Sequence, residues 1–476
     1  MSMNTKAFNQ QRRNFLRNSA IASGAVGIGA LPCGVSFAMG SDSINKNIFI
    51  YIFMRGGPDW LSIIAPKDGH PDRPIYQGLR SNGVQVPDAN LLPLTSDDRG
   101  LWGINDRGAA FRDLFIDGDL AVVRATGLPK VNRSHFEAQR FVELGTPGNR
   151  NTPDGWLARH FQSAINLPGS MQVPLMTAES NVSFSLLGEP SVLALGNPGS
   201  FDLEGGNNNF EEQLEVALGE IYSQGNSDIE VAGAQAIEAL QIVEQIFDPD
   251  VTYTPANGAM YPEDDIGDEL RDIARLIKAG VGLRLAQADK GGWDTHNNQG
   301  NMTGQFGNRL QDIAEAVKAL LLDLDVATGE GDTWKDRTVV MLQGEFGRRV
   351  FDNDNQGTDH GSGADILVAG GPVNGGQFFG RHNGLNPADP ETPNALFQNA
   401  DVMTTTDYRN VFAEVLIRHL GNPELGTILP GFNPSTPADD SLDIDAPGYN
   451  PLGFINGDDL EVNYGPQDVI AKTGFE

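Results

Sequence analysis

The segment Asn47–Met54 (NIFIYIFM), followed by the turn Arg55–Asp59 (RGGPD), decides the fold prediction. The segment is almost entirely apolar, which is typical of a strand buried on both faces of a parallel sheet. The glycines and the proline that follow end the strand in a tight turn. Because open α/β sheets bind ligands at the carboxyl ends of their strands, this turn is a candidate site. Asp59 is a candidate metal ligand there, and Arg55 is a candidate anion-binding residue.

Shorter apolar runs predict further strands, and amphipathic patterns predict helices between them. The predicted strands are 120–124, 173–177, 191–195, 337–342 and 365–369. The predicted helices are 107–115, 136–144, 156–165, 210–222, 230–246, 268–288, 303–324 and 408–420. This alternation predicts an α/β fold with a mostly parallel sheet flanked by helices on both faces. A helical insertion is expected near 207–265, and an irregular tail is expected from 433 onward.

Residues 1–38 are predicted to be a twin-arginine signal peptide. Arg12 and Arg13 precede a glycine- and alanine-rich apolar stretch, and Ser36–Ala38 offers small residues at the usual cleavage spacing. The apolar stretch is too short and too rich in glycine for a stable membrane span. We therefore expect the twin-arginine translocase to export a single domain, residues 39–476, to the periplasm or the extracellular space.

Composition excludes two classes of partner and one class of chemistry. The formal net charge of −30 disfavours binding to nucleic acid or to anionic lipid. The sole cysteine, Cys33, lies inside the predicted signal, so neither disulfides nor thiolates are expected in the exported protein. Any metal site must then use histidine, aspartate, glutamate or asparagine.

Two short Asp/His motifs on glycine-rich segments are candidate metal ligands. Asp294 and His296 stand two residues apart, so in an extended segment both face the same side. Asp359 and His360 are adjacent, and His382 follows another glycine-rich run. Oxygen and imidazole ligands without sulfur suit a divalent metal such as zinc, manganese or calcium. The alternative for any one of these histidines is a buried, hydrogen-bonded imidazole.

The segment Gly344–Arg349 (GEFGRR) directly follows the predicted strand 337–342. Its position at a strand end makes Glu345 a further candidate ligand. The remaining histidines outside the motifs, His70, His160 and His419, are interpreted as structural.

The segment Asn132–Gln139 (NRSHFEAQ) follows a predicted strand and opens a predicted helix. A hydroxyl at a helix N-terminus meets unpaired N–H groups and the positive end of the helix dipole. Ser134 is therefore a candidate nucleophile for an anionic ester, with Arg133 and His135 holding the oxygens of the transferred group. The structural alternative is a capping box formed by Ser134 and Glu137.

With these motifs, the chain resembles the bacterial twin-arginine-exported domain-of-unknown-function 1501 family, related to the alkaline phosphatase and sulfatase superfamily. The resemblance rests on segments 55–57, 133–139, 294–296, 345–348, 357–361 and 407–409. It implies an alkaline-phosphatase-like three-layer sandwich with a metal site at the carboxyl edge of its sheet, and in-line attack on an ester. Glu345 stands at the strand end, where the superfamily has aspartate. The superfamily's order of site residues corresponds here to Asp59, Ser134, Asp294 with His296, Asp359 with His360, and His382.

The leading functional expectation is an exported, metal-dependent hydrolase of small phosphate or sulfate esters, with Ser134 as nucleophile. A non-catalytic binding or assembly protein of the cell envelope that retains the hydrolase fold is the alternative. A carbohydrate-active hydrolase with paired carboxylates is a third possibility. The relative positions of Asp294 and Asp359 discriminate between these functions, because ligands of one metal centre must lie close together.

Overall fold

The computed structural model of the protein describes residues 44–80, 83–94, 101–198, 208–223, 227–386, 395–436 and 438–465. The predicted signal, residues 1–38, lies outside the described residues. The strands are β1 (Ile48–Met54), β2 (Ile64–Pro66), β3 (Leu91–Leu94), β4 (Trp102–Asn105), β5 (Leu120–Gly127), β6 (Leu175–Thr177), β7 (Val192–Ala194), β8 (Leu285–Lys290), β9 (Thr338–Gln343), β10 (Ala364–Gly370), β11 (Phe378–Phe379), β12 (Leu396–Phe397), β13 (Asp401–Val402) and β14 (Thr406–Asp407). The α-helices are Trp60–Ile63, Arg73–Leu79, Ala109–Asp117, His135–Leu144, Trp156–Ser163, Asn208–Tyr222, Asp228–Ile246, Asp265–Ala279, Gln305–Leu324, Tyr408–Glu414 and Leu425–Ile428, and a π-helical turn spans Val415–His419.

The central sheet has nine strands in the order β11-β5-β10-β9-β1-β8-β6-β7, with β14 also paired to β5. Every neighbouring pair is parallel except the two that involve β10, which runs antiparallel to β5 and β9. The prediction of a mostly parallel sheet is confirmed. The carboxyl ends of β1, β5, β8 and β9 therefore lie along one edge, and β10 begins at that same edge.

Both faces of the sheet are buried, as the apolar sequence of β1 predicts. Alternate side chains of β1 enter two separate cores, with Ile50 and Ile52 in one and Phe49, Tyr51 and Phe53 in the other. The first core includes side chains from helices 109–117, 265–279 and 305–324, and the second includes side chains from helices 135–144, 156–163 and 408–414. Each large apolar side chain buried in this way contributes about 1.5–3 kcal/mol. The result is an α/β fold with helices on both faces of the sheet.

The prediction of one helix over 268–288 is wrong. The helix Asp265–Ala279 ends where Gly280 adopts the left-handed conformation, with φ of 71°. Strand β8 follows as a central strand between β1 and β6. Its first four residues are all buried, so the apolar pattern did not distinguish a strand from a buried helix.

Peripheral elements surround the central sheet. Strands β2, β4 and β3 form a small antiparallel sheet that the sequence analysis did not predict. In the region predicted as an insertion, helix Asp228–Ile246 begins with a capping box made by Ser227 and Glu230. The tail residues described beyond 433 form neither a helix nor a strand. The buried carboxylate of Glu414 accepts hydrogen bonds from three tail N–H groups, those of Leu452, Gly453 and Ile455. Among the residues described, no helix combines the length and apolarity needed to cross a bilayer.

Candidate metal centre

Loops at the shared edge of the sheet carry the side chains that the sequence singled out. The loop that follows β5 leads into helix His135–Leu144, and the loop that follows β8 carries Asp294 and His296. The loop that follows β9, residues 344–363, carries Glu345 near its start and His360 near its end, just before β10. The arrangement follows from strand direction, because parallel strands end at one edge and the antiparallel β10 starts there.

Three imidazoles converge on one carboxylate oxygen. Oδ1 of Asp294 lies 3.3 Å from Nε2 of His135 and 3.1 Å from Nε2 of His296. The same oxygen lies 3.1 Å from Nε2 of His360. The Nε2 atoms of His296 and His360 are 2.8 Å apart. We call these side chains, Asp294, His135, His296 and His360, the four-donor cluster.

Each imidazole of the four-donor cluster is held from behind through its other nitrogen. Nδ1 of His135 lies 2.6 Å from Oε1 of Glu345, and Nδ1 of His296 lies 3.1 Å from Oδ1 of Asp359. Nδ1 of His360 lies 2.8 Å from the carbonyl oxygen of Arg133. All three partners accept hydrogen bonds, which favours the tautomer that carries its proton on Nδ1 and directs the lone pair of Nε2 into the cluster.

This arrangement places electron pairs against one another unless a cation lies between them. Two unprotonated Nε2 atoms 2.8 Å apart repel each other, and the carboxylate oxygen beside them adds negative charge. One extra proton relieves a single contact, whereas a divalent cation attracts all four donors. Donors about 2.0–2.2 Å from a tetrahedral ion lie roughly 3.3–3.5 Å apart. The separations given above, 2.8 to 3.3 Å, are close to that spacing. The ligand atoms of three members, His135, Asp294 and His360, all lie within 4.8 Å of one another, close enough to share one metal ion, and His296 lies beside them.

Arg348 fixes the carboxylate of the cluster. Its buried guanidinium donates to Oδ1 of Asp294 at 2.8 Å and to the carbonyl oxygens of Gly57 and Thr358 at 2.6 and 2.7 Å. One side chain therefore joins the loops that follow β1, β8 and β9. Because the guanidinium remains charged at all ordinary pH values, it also keeps Asp294 ionised.

The protonation preferences of the cluster follow from these contacts. Burial favours the neutral form of Asp294, but the hydrogen bond from the Arg348 guanidinium outweighs burial and holds the pKa of Asp294 well below its usual range. The hydrogen bond to Glu345 raises the pKa of His135. Burial lowers the pKa of His360, which favours the neutral imidazole. An ionised carboxylate beside a neutral imidazole is the state that binds a metal.

A comparison with known families matches this region of the chain. The family model described as a protein of unknown function (DUF1501) matches residues 121–424. The chain belongs to this DUF1501 family. The matched range includes every residue of the four-donor cluster and the three residues that hold its imidazoles from behind. The turn that follows β1, residues 55–59, precedes the matched range. No curated protein matches the chain in a sequence comparison.

The DUF1501 fold brings some of the predicted ligands together and separates others. Asp294, His296 and His360 lie in the four-donor cluster. Glu345 and Asp359, also predicted as ligands, lie one layer behind, where each accepts a hydrogen bond from an imidazole. Asp294 and Asp359 thus contact opposite nitrogens of the same ring, that of His296.

Asp59 lies outside the four-donor cluster. Its buried carboxylate receives two hydrogen bonds from Arg80, at 2.6 and 2.9 Å, and others from Ser62 at 2.5 Å and Gln299 at 2.7 Å. Burial raises the pKa of Asp59, but the adjacent Arg80 guanidinium reverses the effect and lowers it. Because this buried carboxylate is held by four donors and lies outside the four-donor cluster, Asp59 has a structural role in this conformation.

His382 also lies apart from the cluster. Its ring packs against Trp102, with ring centroids 5.2 Å apart, and its Nδ1 accepts a hydrogen bond from the backbone N–H of Gly384 at 3.0 Å. Burial holds the pKa of His382 well below its usual value. Among the histidines interpreted as structural, His160 and His419 are buried in the second core region.

The two arginines predicted to bind substrate anions are paired with carboxylates. Arg55 donates to both oxygens of Glu143, at 3.0 and 3.1 Å, and also to Asp289. Arg133 donates to the buried Asp401, at 3.1 Å from its Nε, while its carbonyl oxygen holds His360. Neither guanidinium has its full set of donors available to a ligand.

Ser134 occupies the N-cap position of helix His135–Leu144, but its side chain makes no capping hydrogen bond. Glu137 instead accepts a hydrogen bond from Asn132 at 2.8 Å, so the predicted capping box is absent from this part of the chain. The exposed hydroxyl of Ser134 is one residue away from His135 in the sequence. The side chain is exposed and makes no capping bond to the helix, so its hydroxyl is accessible to solvent.

The sequence analysis missed two roles. It placed His135 on the substrate anion, whereas the imidazole belongs to the four-donor cluster. It also did not single out Arg348 among the predicted site residues, although its guanidinium is fully buried and paired with Asp294. The signal for His135 was its position just after the loop that follows a buried strand, the same context as the predicted ligands.

Proposed function

We propose that the protein is a metal-dependent hydrolase of small phosphate or sulfate esters, and that the four-donor cluster holds its metal ion. The observation that carries the proposal is the convergence of three Nε2 atoms on Oδ1 of Asp294. Each Nδ1 already has an acceptor, so the free lone pairs all face one point. Such backing of metal-ligating histidines is general in metalloproteins.

The donor set favours zinc. Three imidazoles and one carboxylate suit zinc, manganese or iron, whereas calcium prefers about six to eight oxygen ligands. A divalent ion bound here would supply Lewis-acid polarisation of an ester oxygen. The positive charge of the ion, together with the N-terminus of helix His135–Leu144, favours an anionic substrate.

Ser134 is the proposed nucleophile. In the first step its Oγ bonds to the phosphorus or sulfur of the ester, the bond to the alcohol oxygen breaks, and the serine hydroxyl proton passes through solvent to the departing alcohol. In the second step water hydrolyses the serine ester and releases phosphate or sulfate. Support for this role comes from the exposed, uncapped hydroxyl beside His135. Arg133 and Arg55 are held by carboxylates, so we assign them to positioning loops rather than to binding substrate.

Elemental analysis combined with an activity screen tests the proposal. Purified protein expressed with supplementary zinc and manganese is expected to hold stoichiometric metal and to hydrolyse aryl phosphate or aryl sulfate esters. His360→Ala and His135→Ala are expected to lose both properties, whereas the control Asp268→Asn, at an exposed ion pair with Arg271, keeps both. Absence of metal from the wild-type protein contradicts the metal centre. Stoichiometric metal without turnover of any ester contradicts the hydrolase and favours a binding protein of the cell envelope.

We also propose that the twin-arginine translocase exports the protein to the periplasm or beyond. Support comes from the sequence around Arg12 and Arg13. Replacement of both arginines by lysine is expected to leave the full-length chain in the cytoplasm on cell fractionation, while the matched control Arg17→Lys is exported. Export of the double variant contradicts the proposal.

A further inference from the structure

The buried side chain of Gln299 joins the two loops that carry His296 and His360. Its Oε1 accepts a hydrogen bond from Oγ1 of Thr295 at 2.8 Å and another from Oγ1 of Thr358 at 2.7 Å. Thr295 stands between Asp294 and His296 in the sequence, and Thr358 precedes the pair Asp359–His360. One amide oxygen therefore holds a hydroxyl from each of the two loops.

The other end of the Gln299 amide is anchored to the turn that follows β1. Its Nε2 donates to Oδ2 of Asp59 at 2.7 Å and to Oγ of Ser62 at 3.1 Å. Arg80 in turn donates hydrogen bonds to Asp59. It also donates to the carbonyl oxygens of Val350, at 2.9 Å, and of Arg349. Gln299, Thr358 and Asp59 are each at most 1% exposed. Water therefore does not compete for these bonds, and their loss is costly.

Backbone hydrogen bonds also join the two loops next to Gln299. The N–H of Thr358 donates to the carbonyl oxygen of Thr295 at 3.1 Å, and the N–H of Gln299 donates to that of Gln356 at 2.9 Å. A Cβ on Gly357 would lie 2.3 Å from the carbonyl carbon of His296. The backbones of the two loops are therefore in direct contact, and neither loop can shift along the other without a steric clash.

We infer that Gln299 is a positioning residue that sets the separation of His296 and His360 and so preforms the metal centre. Only a carboxamide suits the place, because its oxygen faces two hydroxyl donors while its nitrogen faces a carboxylate. Glutamate would set a second negative charge against Asp59, and leucine would leave the hydroxyls of Thr295 and Thr358 without their acceptor and remove one donor to Asp59. The inference rests on the proposed metal centre, but it concerns the geometry of the site rather than the reaction.

Metal affinity and the absorption spectrum of the cobalt-substituted protein test the inference. Gln299→Glu and Gln299→Leu are expected to bind zinc about tenfold or more weakly than wild type, as measured by competition with a chromophoric chelator. The visible bands of bound Co²⁺ should change in shape, because they report the number and angles of the ligands. A merely structural role for Gln299 would lower the melting temperature without altering these bands.

A matched set of threonine variants covers the case in which the Gln299 variants do not fold. Thr358→Val removes one hydroxyl at nearly constant shape and is expected to weaken zinc binding, whereas Thr358→Ser retains the hydroxyl and restores the affinity. Thr338→Val controls for loss of any buried hydroxyl, because Oγ1 of Thr338 donates at 2.8 Å to Trp334, away from the four-donor cluster.

The outcomes separate the two proposals. No zinc bound to the wild-type protein would overturn the metal centre itself. Zinc bound by the wild type, with the same affinity and cobalt spectrum in the Gln299 and Thr358→Val variants, would overturn the positioning role alone. Weaker binding in Thr338→Val equal to that in Thr358→Val would also overturn it.

Discussion

Nε2 of His296 lies 2.8 Å from Nε2 of His360, although the two residues belong to different loops. Neither ring can rotate freely to avoid the contact, because Asp359 and the carbonyl of Arg133 hold the opposite nitrogens. The contact is favourable when a proton or a metal ion lies between the two nitrogens. A metal ion bound at this point would relieve the repulsion and attract the nearby carboxylate of Asp294 as well.

Removal of the metal is expected to destabilise the protein. At a free zinc concentration of roughly 100 times the Kd, binding adds about 2.7 kcal/mol to the free energy of unfolding. Denaturant titrations with zinc and with a chelator should differ by that amount in the wild type. Asp294→Asn should abolish the difference, because it removes the oxygen on which the donors converge. A zinc-dependent shift that persists in this variant would contradict the assigned centre.

Glu345→Gln is expected to weaken zinc binding by about 10- to 100-fold while leaving the protein folded. Glutamine can still accept the hydrogen bond from Nδ1 of His135, but it lacks the negative charge that increases the basicity of the ring. Calorimetric titration with zinc measures the effect. Glu137→Gln is the matched control, since Glu137 lies in the same helix as His135 but accepts its hydrogen bond from Asn132. Equal affinities in the two variants would leave Glu345 without the proposed role.

Ser134→Ala is expected to reduce ester turnover by at least about 10³-fold, because the variant lacks the nucleophile. Its stability should change little, since the hydroxyl makes no capping bond to the helix. Steady-state kinetics, with metal content and thermal unfolding as controls, checks both parts. Full activity in the variant would point to direct attack by water.

Gly56→Ala is expected to destabilise the protein by about 3 kcal/mol or more. Gly56 has φ of +116°, and a Cβ there would lie 2.4 Å from the backbone nitrogen of Asp294. Gly118→Ala is the control, because Gly118 also has a positive φ but no atom within 4 Å of a built Cβ. The control should lose only about 1–2 kcal/mol in chemical denaturation. Equal losses of stability in the two variants would show that the Asp294 loop can move to accommodate the added Cβ.

Stability is expected to fall as the pH is lowered below about 6.5, in part because of two buried histidines. Burial, reinforced by the neighbouring His419, lowers the pKa of His160 to about 3, and burial lowers the pKa of His419 to about 4. Below the ordinary histidine pKa, these two side chains are protonated in the unfolded chain but remain neutral in the folded chain, so the free energy of unfolding falls. Each group contributes a slope of roughly 1.4 kcal/mol per pH unit between about pH 6 and pH 4, and no slope above pH 7.

Denaturant titrations between pH 8 and pH 4 measure the slope. His160→Gln and His419→Gln should each flatten it, even where the variant is less stable overall. A slope unchanged in both variants would mean that other groups dominate the acid sensitivity.

The sequence predicted the sheet where apolar runs were long and bounded by turn residues. β1 and β9 were recognised because every residue in them is buried, which leaves a continuous apolar pattern. β8 was missed because its run continues that of the preceding helix, and the strand-forming context comes from its neighbours β1 and β6. Only long-range pairing distinguishes the two possibilities.

The site was predictable as a set of strand-end motifs but not as a set of distances. Spacing placed Asp294 and His296 on one side of a loop, and they do meet in space. It did not show that Arg80, distant in sequence, would neutralise Asp59. It also did not show whether Glu345 would be a metal ligand or would accept a hydrogen bond from the proposed ligand His135. The two arrangements differ by only a few ångströms, and a single sequence does not distinguish them.

The reversed direction of β10 has a consequence for how this centre can vary. Residues 344–363 leave the sheet and return to it at the same edge, so they form an excursion rather than a crossover. An insertion or deletion in that excursion changes the rim of the site without rethreading any strand. The Asp359–His360 pair can therefore stand well after the strand end that Glu345 occupies and still arrive at the centre. The sheet supplies the two ends of the span, and the residues between them form the rim of the site.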